Sequence, residues 1–327
     1  MFLFVIVSIE AIAQLLYRIR YGEFVWRQGS EIFRVQRFTR PVADARHATT
    51  IPNFSDPNYD GYGVSIDAYG FRRGAQTTIP DCPSVVFIGD SVPFGWGVPD
   101  RASMPSKLFE HLRRENDGRC VINAAIPAYS LFQAVARLEH EILRKFKIDS
   151  VYLQIYDPVK HFARFGAQWT PEMDWNTEPV LPGDPWMEKR EYVASIQIVR
   201  KALFRFGVSE TNLDERALDR YRGEIRRELE HLHDIAVQAR VKRLIVAPVT
   251  VPSGTYEQLP EKHLIALKAL NDELKQFATS NEKTTFFDTG EVLKSHPDSK
   301  MFIDQCCHLT ELGNDFVAEK LIKILSR

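Results

Sequence analysis

Val85-Val86-Phe87-Ile88-Gly89-Asp90-Ser91-Val92-Pro93-Phe94-Gly95-Trp96-Gly97-Val98 is the stretch whose reading decides the fold. An apolar, mostly β-branched run passes straight into Gly-Asp-Ser, the pattern of a buried parallel strand that ends in a tight turn. Open α/β sheets form their ligand crevices along the carboxyl edge, so Ser91 is expected there. Gly95 and Gly97 are expected to let backbone approach a substrate closely. Chemistry should begin at Ser91.

Working outward, Cys120–Asn123, Val151–Tyr156, Leu244–Val249 and Thr284–Asp288 read as further strands separated by helix-length stretches. Ser103 suits the cap of a helix carrying Met104, Leu108 and Leu112 on one face. Apolar positions recur at helical spacing in four later segments: Phe132 to Leu143, 215–240, Leu264 to Phe277, and Phe316 to Leu325. Strands alternating with helical crossovers predict an α/β fold, a three-layer, flavodoxin-like, doubly wound parallel sheet of about five strands.

The remaining segments sort by composition. Residues 1–25 are expected to form a membrane anchor helix, 26–80 an extended lead-in with Pro41, Pro52 and Pro57, and 81–327 the main domain. Within that domain, 161–215 interrupts the rhythm with Trp169, Trp175 and Trp186 and is read as an inserted lid or cap. In the first 17 residues, strong apolar side chains contribute about −0.3 to −0.6 kcal/mol each, against roughly +3 for Glu10. No small-residue cleavage site follows, which favours an uncleaved anchor over a signal peptide. Tyr69-Gly70-Phe71-Arg72-Arg73 reads as a surface turn with solvated arginines.

Across 327 residues, 42 basic side chains face 43 acidic ones, and the net charge of −1 disfavours nucleic-acid binding. The four cysteines, Cys82, Cys120, Cys306 and Cys307, match no zinc or disulfide spacing and read as packing thiols, with Cys307 beside His308 open to redox chemistry. No phosphate loop, dinucleotide fingerprint or metal-ligand cluster occurs, so neither cofactor nor metal is expected.

Near the far end stands Phe302-Ile303-Asp304-Gln305-Cys306-Cys307-His308-Leu309-Thr310-Glu311-Leu312-Gly313-Asn314. A carboxylate and an imidazole held in one turn are how a general base and its orienting acid are kept together. With Gly89-Asp90-Ser91, this segment resembles the SGNH, or GDSL, hydrolase superfamily over roughly residues 65 to 327. The form Gly-Asp-Ser-x-x-Phe-Gly-x-Gly-Val, preceded by Tyr69-Gly70-Phe71-Arg72, is similar to a bacterial branch that often carries an N-terminal membrane anchor.

That resemblance implies a catalytic triad of Ser91, His308 and Asp304, an acyl-serine intermediate, and a place for the Tyr69–Arg73 segment near the active-site rim. It also implies three oxyanion donors: the serine amide, the amide of a second-block glycine and a third-block asparagine side chain. By position the glycine is Ala125, and the third block is Gln154-Ile155-Tyr156-Asp157, which lacks the asparagine; Gln154, Tyr156 and Asp157 are the candidates there. The acid precedes the histidine by four residues where the family has three, and on one turn of helix both spacings share a face.

The implied function is a serine esterase or deacylase acting on an acylated carbohydrate, lipid or envelope component. Two alternatives stay open: an O-acyltransferase using the same three residues, and a binding protein that kept the fold without activity. The expected partners are a small-molecule or glycan acyl ester and, through the N-terminal helix, a membrane; no obligatory protein partner is inferred. By resemblance the domain faces outside the cytoplasm, whereas Arg18, Arg20 and Arg27 argue for the inside, and the side stays open.

Overall fold

The structure, a computed structural model, describes residues 2–21, 37–46, 48–76, 81–156, 215–257, 259, 261–304 and 306–326. The insertion expected over 161–215 lies outside these residues except for Glu215, which opens a helix.

Two short hairpins come first, β1 (Thr39–Pro41) with β2 (Ala48–Thr50) and β3 (Ser55–Asp56) with β4 (Val64–Ser65). The main sheet holds β5 (Ser84–Gly89), β6 (Cys120–Asn123), β7 (Ile148–Ile155), β8 (Arg243–Pro248) and β9 (Thr284–Phe286) in the order β6-β5-β7-β8-β9, all parallel. This is the flavodoxin-like order, and it turns back on itself at β5. Every residue of β5 is buried, which its unbroken apolar run foretold. The strand must end on glycine: Gly89 has φ +135°, and a Cβ there would lie 1.8 Å from the Gln154 carbonyl oxygen.

Helices α1 (Phe2–Tyr21), α2 (Ser91–Phe94), α3 (Met104–Arg114), α4 (Leu131–Arg137), α5 (Glu215–Gln238), α6 (Glu261–Ser280) and α7 (Glu311–Leu325) complete the frame. One group packs α7 on α3, and the other packs α5 on both α4 and α6. Ser103 precedes α3 as expected, but its hydroxyl bonds the Asp100 carbonyl and the Ser106 hydroxyl and caps no N–H of the helix.

The lead-in is more than a wrapping. Phe38, Tyr59, Val64, Ile66 and Phe71 belong to the hydrophobic core, and Phe38 stacks on Phe94 at 5.3 Å. Arg72 joins the edge of β6 by donating its N–H to the Asn123 carbonyl at 3.0 Å, so that edge is covered. The arginine is 4 % exposed, contrary to the solvated turn expected. Its guanidinium lies over the Phe94 ring and donates to the carbonyls of Phe94, Gly95 and Val98 and to Asp100.

Two further expectations are overturned. Cys82 and Cys120 are joined in a disulfide with Cα atoms 5.9 Å apart. They are 38 residues apart in sequence, but they sit at the amino ends of neighbouring strands, where Ser84 pairs with Cys120 in the ladder. Spacing along the chain carries no trace of that adjacency.

The second concerns the membrane anchor. Among the described residues no helix is long and apolar enough to cross a membrane, so the single N-terminal anchor, and the location that depended on it, are not supported. Polar groups interrupt the middle of α1: Gln14 is buried beside Ala13 and donates to Glu10 at 2.8 Å, where a span needs apolar side chains.

Candidate active site

Ser91 stands one residue beyond the end of β5, after Asp90, and opens the helical turn α2. Asp90, 3 % exposed, holds that turn in place. One of its carboxylate oxygens accepts the Val92 N–H at 3.2 Å, and the other accepts the Tyr156 N–H at 2.7 Å from the end of β7. A single carboxylate thus ties the serine turn to the neighbouring strand, and the Ser91 side chain is left half-buried at the carboxyl edge.

Asp304 and His308 arrive from the other end of the chain on a small loop. Its stem is closed by the Ile303 N–H to the His308 carbonyl and by the Thr310 N–H to the Met301 carbonyl, both at 2.9 Å. The loop between them is not a helical turn, as the four-residue spacing had suggested. Asp304 Oδ1 gathers the N–H groups of Cys306, Cys307 and His308 at 3.0, 3.1 and 3.3 Å, so the chain bends around the carboxylate. That bend absorbs the extra residue. Helix α7 starts only afterwards, capped by Thr310 Oγ1 on the Gly313 N–H.

The two ends meet. Asp304 Oδ2 hydrogen-bonds His308 Nδ1, and His308 Nε2 lies 2.8 Å from Ser91 Oγ. An ionised carboxylate only accepts, so the ring proton is on Nδ1 and Nε2 accepts from the serine hydroxyl. His308 is 2 % exposed and lies beside the Trp96 ring at 6.4 Å, so little water competes for these bonds. Burial alone would raise the Asp304 pKa. The His308 hydrogen bond and charge, with N–H groups of His308 and Cys306, outweigh it and hold the carboxyl below its ordinary value.

The other expected site residues fare differently. Ala125 is 1 % exposed and spends its N–H on the Asn123 side chain at 3.3 Å, which leaves no donor for a substrate. Gln154 is built into the sheet, donating to the Pro248 carbonyl at 2.9 Å and accepting from the Tyr152 hydroxyl. Tyr156 is 5 % exposed and supplies its backbone to Asp90; Asp157 lies outside the described residues. Gly97 serves packing: a Cβ there would lie 1.9 Å from Ile303 Cδ1, beside Asp304.

Ala128 stands three residues further along the same segment. Ala128 has φ +65°, is exposed, and sits in the turn leaving β6, which is pinned to β5 by the Ile126 N–H on the Gly89 carbonyl at 3.1 Å. Among the described residues, the N–H groups of Ser91 and Ala128 make no hydrogen bond. The signal in the sequence was the non-repetitive Ile126-Pro127-Ala128 turn, but nothing there marked which amide would stay unbonded.

No protein-family model and no curated protein matches the chain. Solved structures do match. A lipase/acylhydrolase from Enterococcus faecalis aligns at 14% identity over 74% of this chain and 95% of its own, with a TM-score of 0.44. A member of the lipolytic protein G-D-S-L family from Veillonella parvula DSM 2008 aligns at 13% over 75% and 98%, TM-score 0.44. An acetyl xylan esterase aligns at 17% over 74% and 99%, TM-score 0.48. Identity and superposition this low leave the chemistry of the site to be decided by its own geometry.

Proposed function

We propose that this chain is a serine ester hydrolase of the SGNH/GDSL kind, with Ser91 as nucleophile, His308 as general base and Asp304 as the acid that orients it. The observation that carries this reading is the continuous hydrogen-bond chain from Asp304 through His308 to Ser91 Oγ. In the reaction, Ser91 Oγ attacks the ester carbonyl while its proton passes to His308 Nε2, and Asp304 stabilises the imidazolium. The tetrahedral oxyanion takes hydrogen bonds from the Ser91 and Ala128 N–H groups. Collapse expels the alcohol, which leaves with the proton from Nε2. Water repeats the sequence on the acyl-serine and releases the acid.

The substrate class is an ester-linked acyl group on a carbohydrate, lipid or envelope component. An assembled hydrogen-bond chain beside a buried imidazole supports catalysis over an inert binding role. The test is direct: a fluorophosphonate probe should label Ser91, and p-nitrophenyl acetate should be hydrolysed. Absence of both removes the reading.

A further inference from the structure

Cys306 and Cys307 lie inside the catalytic loop, and their Sγ atoms are 2.8 Å apart. Cys306 is half-buried, and Cys307 is 2 % exposed. The Cα atoms of adjacent residues are about 3.8 Å apart across a trans peptide, closer than the roughly 4.4–6.8 Å that a disulfide usually spans. The sulfur atoms have already approached each other, and a ring across Cα atoms this close is strained unless the peptide between Cys306 and Cys307 turns. That peptide carries the Cys307 N–H, one of the three that grip Asp304 Oδ1. Closing the ring and holding the carboxylate compete for one peptide plane.

We propose that Cys306 and Cys307 form a reversible vicinal disulfide that disconnects Asp304 from His308, which makes the pair a redox modification site. The proposal rests on the triad reading above. The oxidant is a low-molecular-weight disulfide. The Cys306 thiolate, the more exposed of the two, attacks one of its sulfur atoms, and the first small thiol departs. The Cys307 thiolate then attacks Cys306 Sγ in the mixed disulfide and releases the second. Two cysteine thiols lose two electrons, one small disulfide gains them, and the cysteines' two protons end on the released thiols. Misplacing a catalytic group by about 1 Å can cost on the order of 10²-fold in rate, and loss of the Cys307 donor acts on Asp304 at that scale. The Cys82–Cys120 disulfide joins the amino ends of β5 and β6, whereas Ser91 follows the carboxyl end of β5, so it is not part of this device.

The test uses the full chain equilibrated over graded ratios of reduced to oxidised glutathione. Non-reducing digestion and mass spectrometry should show the peptide with both cysteines losing two hydrogens and gaining no glutathione. Hydrolysis of p-nitrophenyl acetate should fall on the order of 10²-fold with the same midpoint and return on reduction. Cys306→Ser, compared only with itself, should show an oxidised-to-reduced rate ratio near one. A peptide that keeps both thiols, or carries only an adduct, overturns the modification. A ring that forms without loss of rate overturns the coupling. If the reduced protein hydrolyses nothing, the function above fails separately. The low-field Nδ1 proton of His308 then reports the Asp304 contact without turnover: movement on oxidation supports the coupling, and an unmoved signal overturns it.

Discussion

Ser91 Oγ and His308 Nε2 stand 2.8 Å apart although 217 residues of chain separate them. Groups that act as one unit fail together, so Ser91→Ala and His308→Ala should each lower kcat by roughly 10⁶-fold, with the double variant no worse than either. Steady-state kinetics on an acyl ester checks this; additive losses would mean that the two act independently.

Asp304→Asn should cost about 10⁴-fold in kcat, because the amide holds the wrong imidazole tautomer. The same variant carries a pH signature. The folded pKa of Asp304 is held below its unfolded value of about 3.9. Its stabilisation is therefore complete above that value and is lost as pH falls through the lower folded pKa. The gap in denaturation midpoint between wild type and variant should be widest near neutrality and close on acidification.

Ala128→Gly keeps the backbone N–H and removes a Cβ held at φ +65°. A side chain in the left-handed region costs about 1–2 kcal/mol, partly offset by the greater freedom of glycine in the unfolded chain. Urea denaturation should show equal or higher stability, with kcat retained. A large fall in kcat would argue that the methyl group, and not the amide, matters.

Arg72→Ala should destabilise by about 3–5 kcal/mol, since it takes the buried guanidinium away from Asp100 and from the carbonyls of Phe94, Gly95 and Val98, of which Phe94 keeps only Asn123 Nδ2 and Gly95 only the Val98 N–H. Arg72→Lys should recover only part of this, because one ammonium cannot reproduce the guanidinium fork. Guanidinium unfolding of both variants decides it, and full rescue by lysine would reduce the residue to a point charge.

Cys82→Ser opens a loop of 38 residues and should lower stability by about 2–4 kcal/mol. Differential scanning calorimetry on the oxidised protein provides the comparison. No change would mean that strand pairing alone holds these ends.

The parts of this protein legible in the sequence are those set by local pattern. The apolar run Val85–Ile88, and strands and helices alternating after it, are local signals, and the five-stranded parallel sheet follows them. Ser91 at the end of β5 and His308 just before α7 were legible for the same reason, because short motifs sit at element boundaries. The environment of Arg72 was not, since an arginine in a glycine-flanked turn is usually solvated, and only the packing of the lead-in over Phe94 buries it.

The residues by themselves therefore determined the order of strands and helices and set the Ser91 and Asp304–His308 motifs at element boundaries, because hydrophobic period and turn chemistry act over a few neighbours. Only the tertiary structure decided which backbone amide after β6 stays unbonded among the described residues, that of Ala128 and not Ala125, and which cysteines pair. It also decided how Asp304 reaches His308 across an extra residue. Each of these depends on the direction of a single backbone group or on strands adjacent in space, and chain spacing encodes neither.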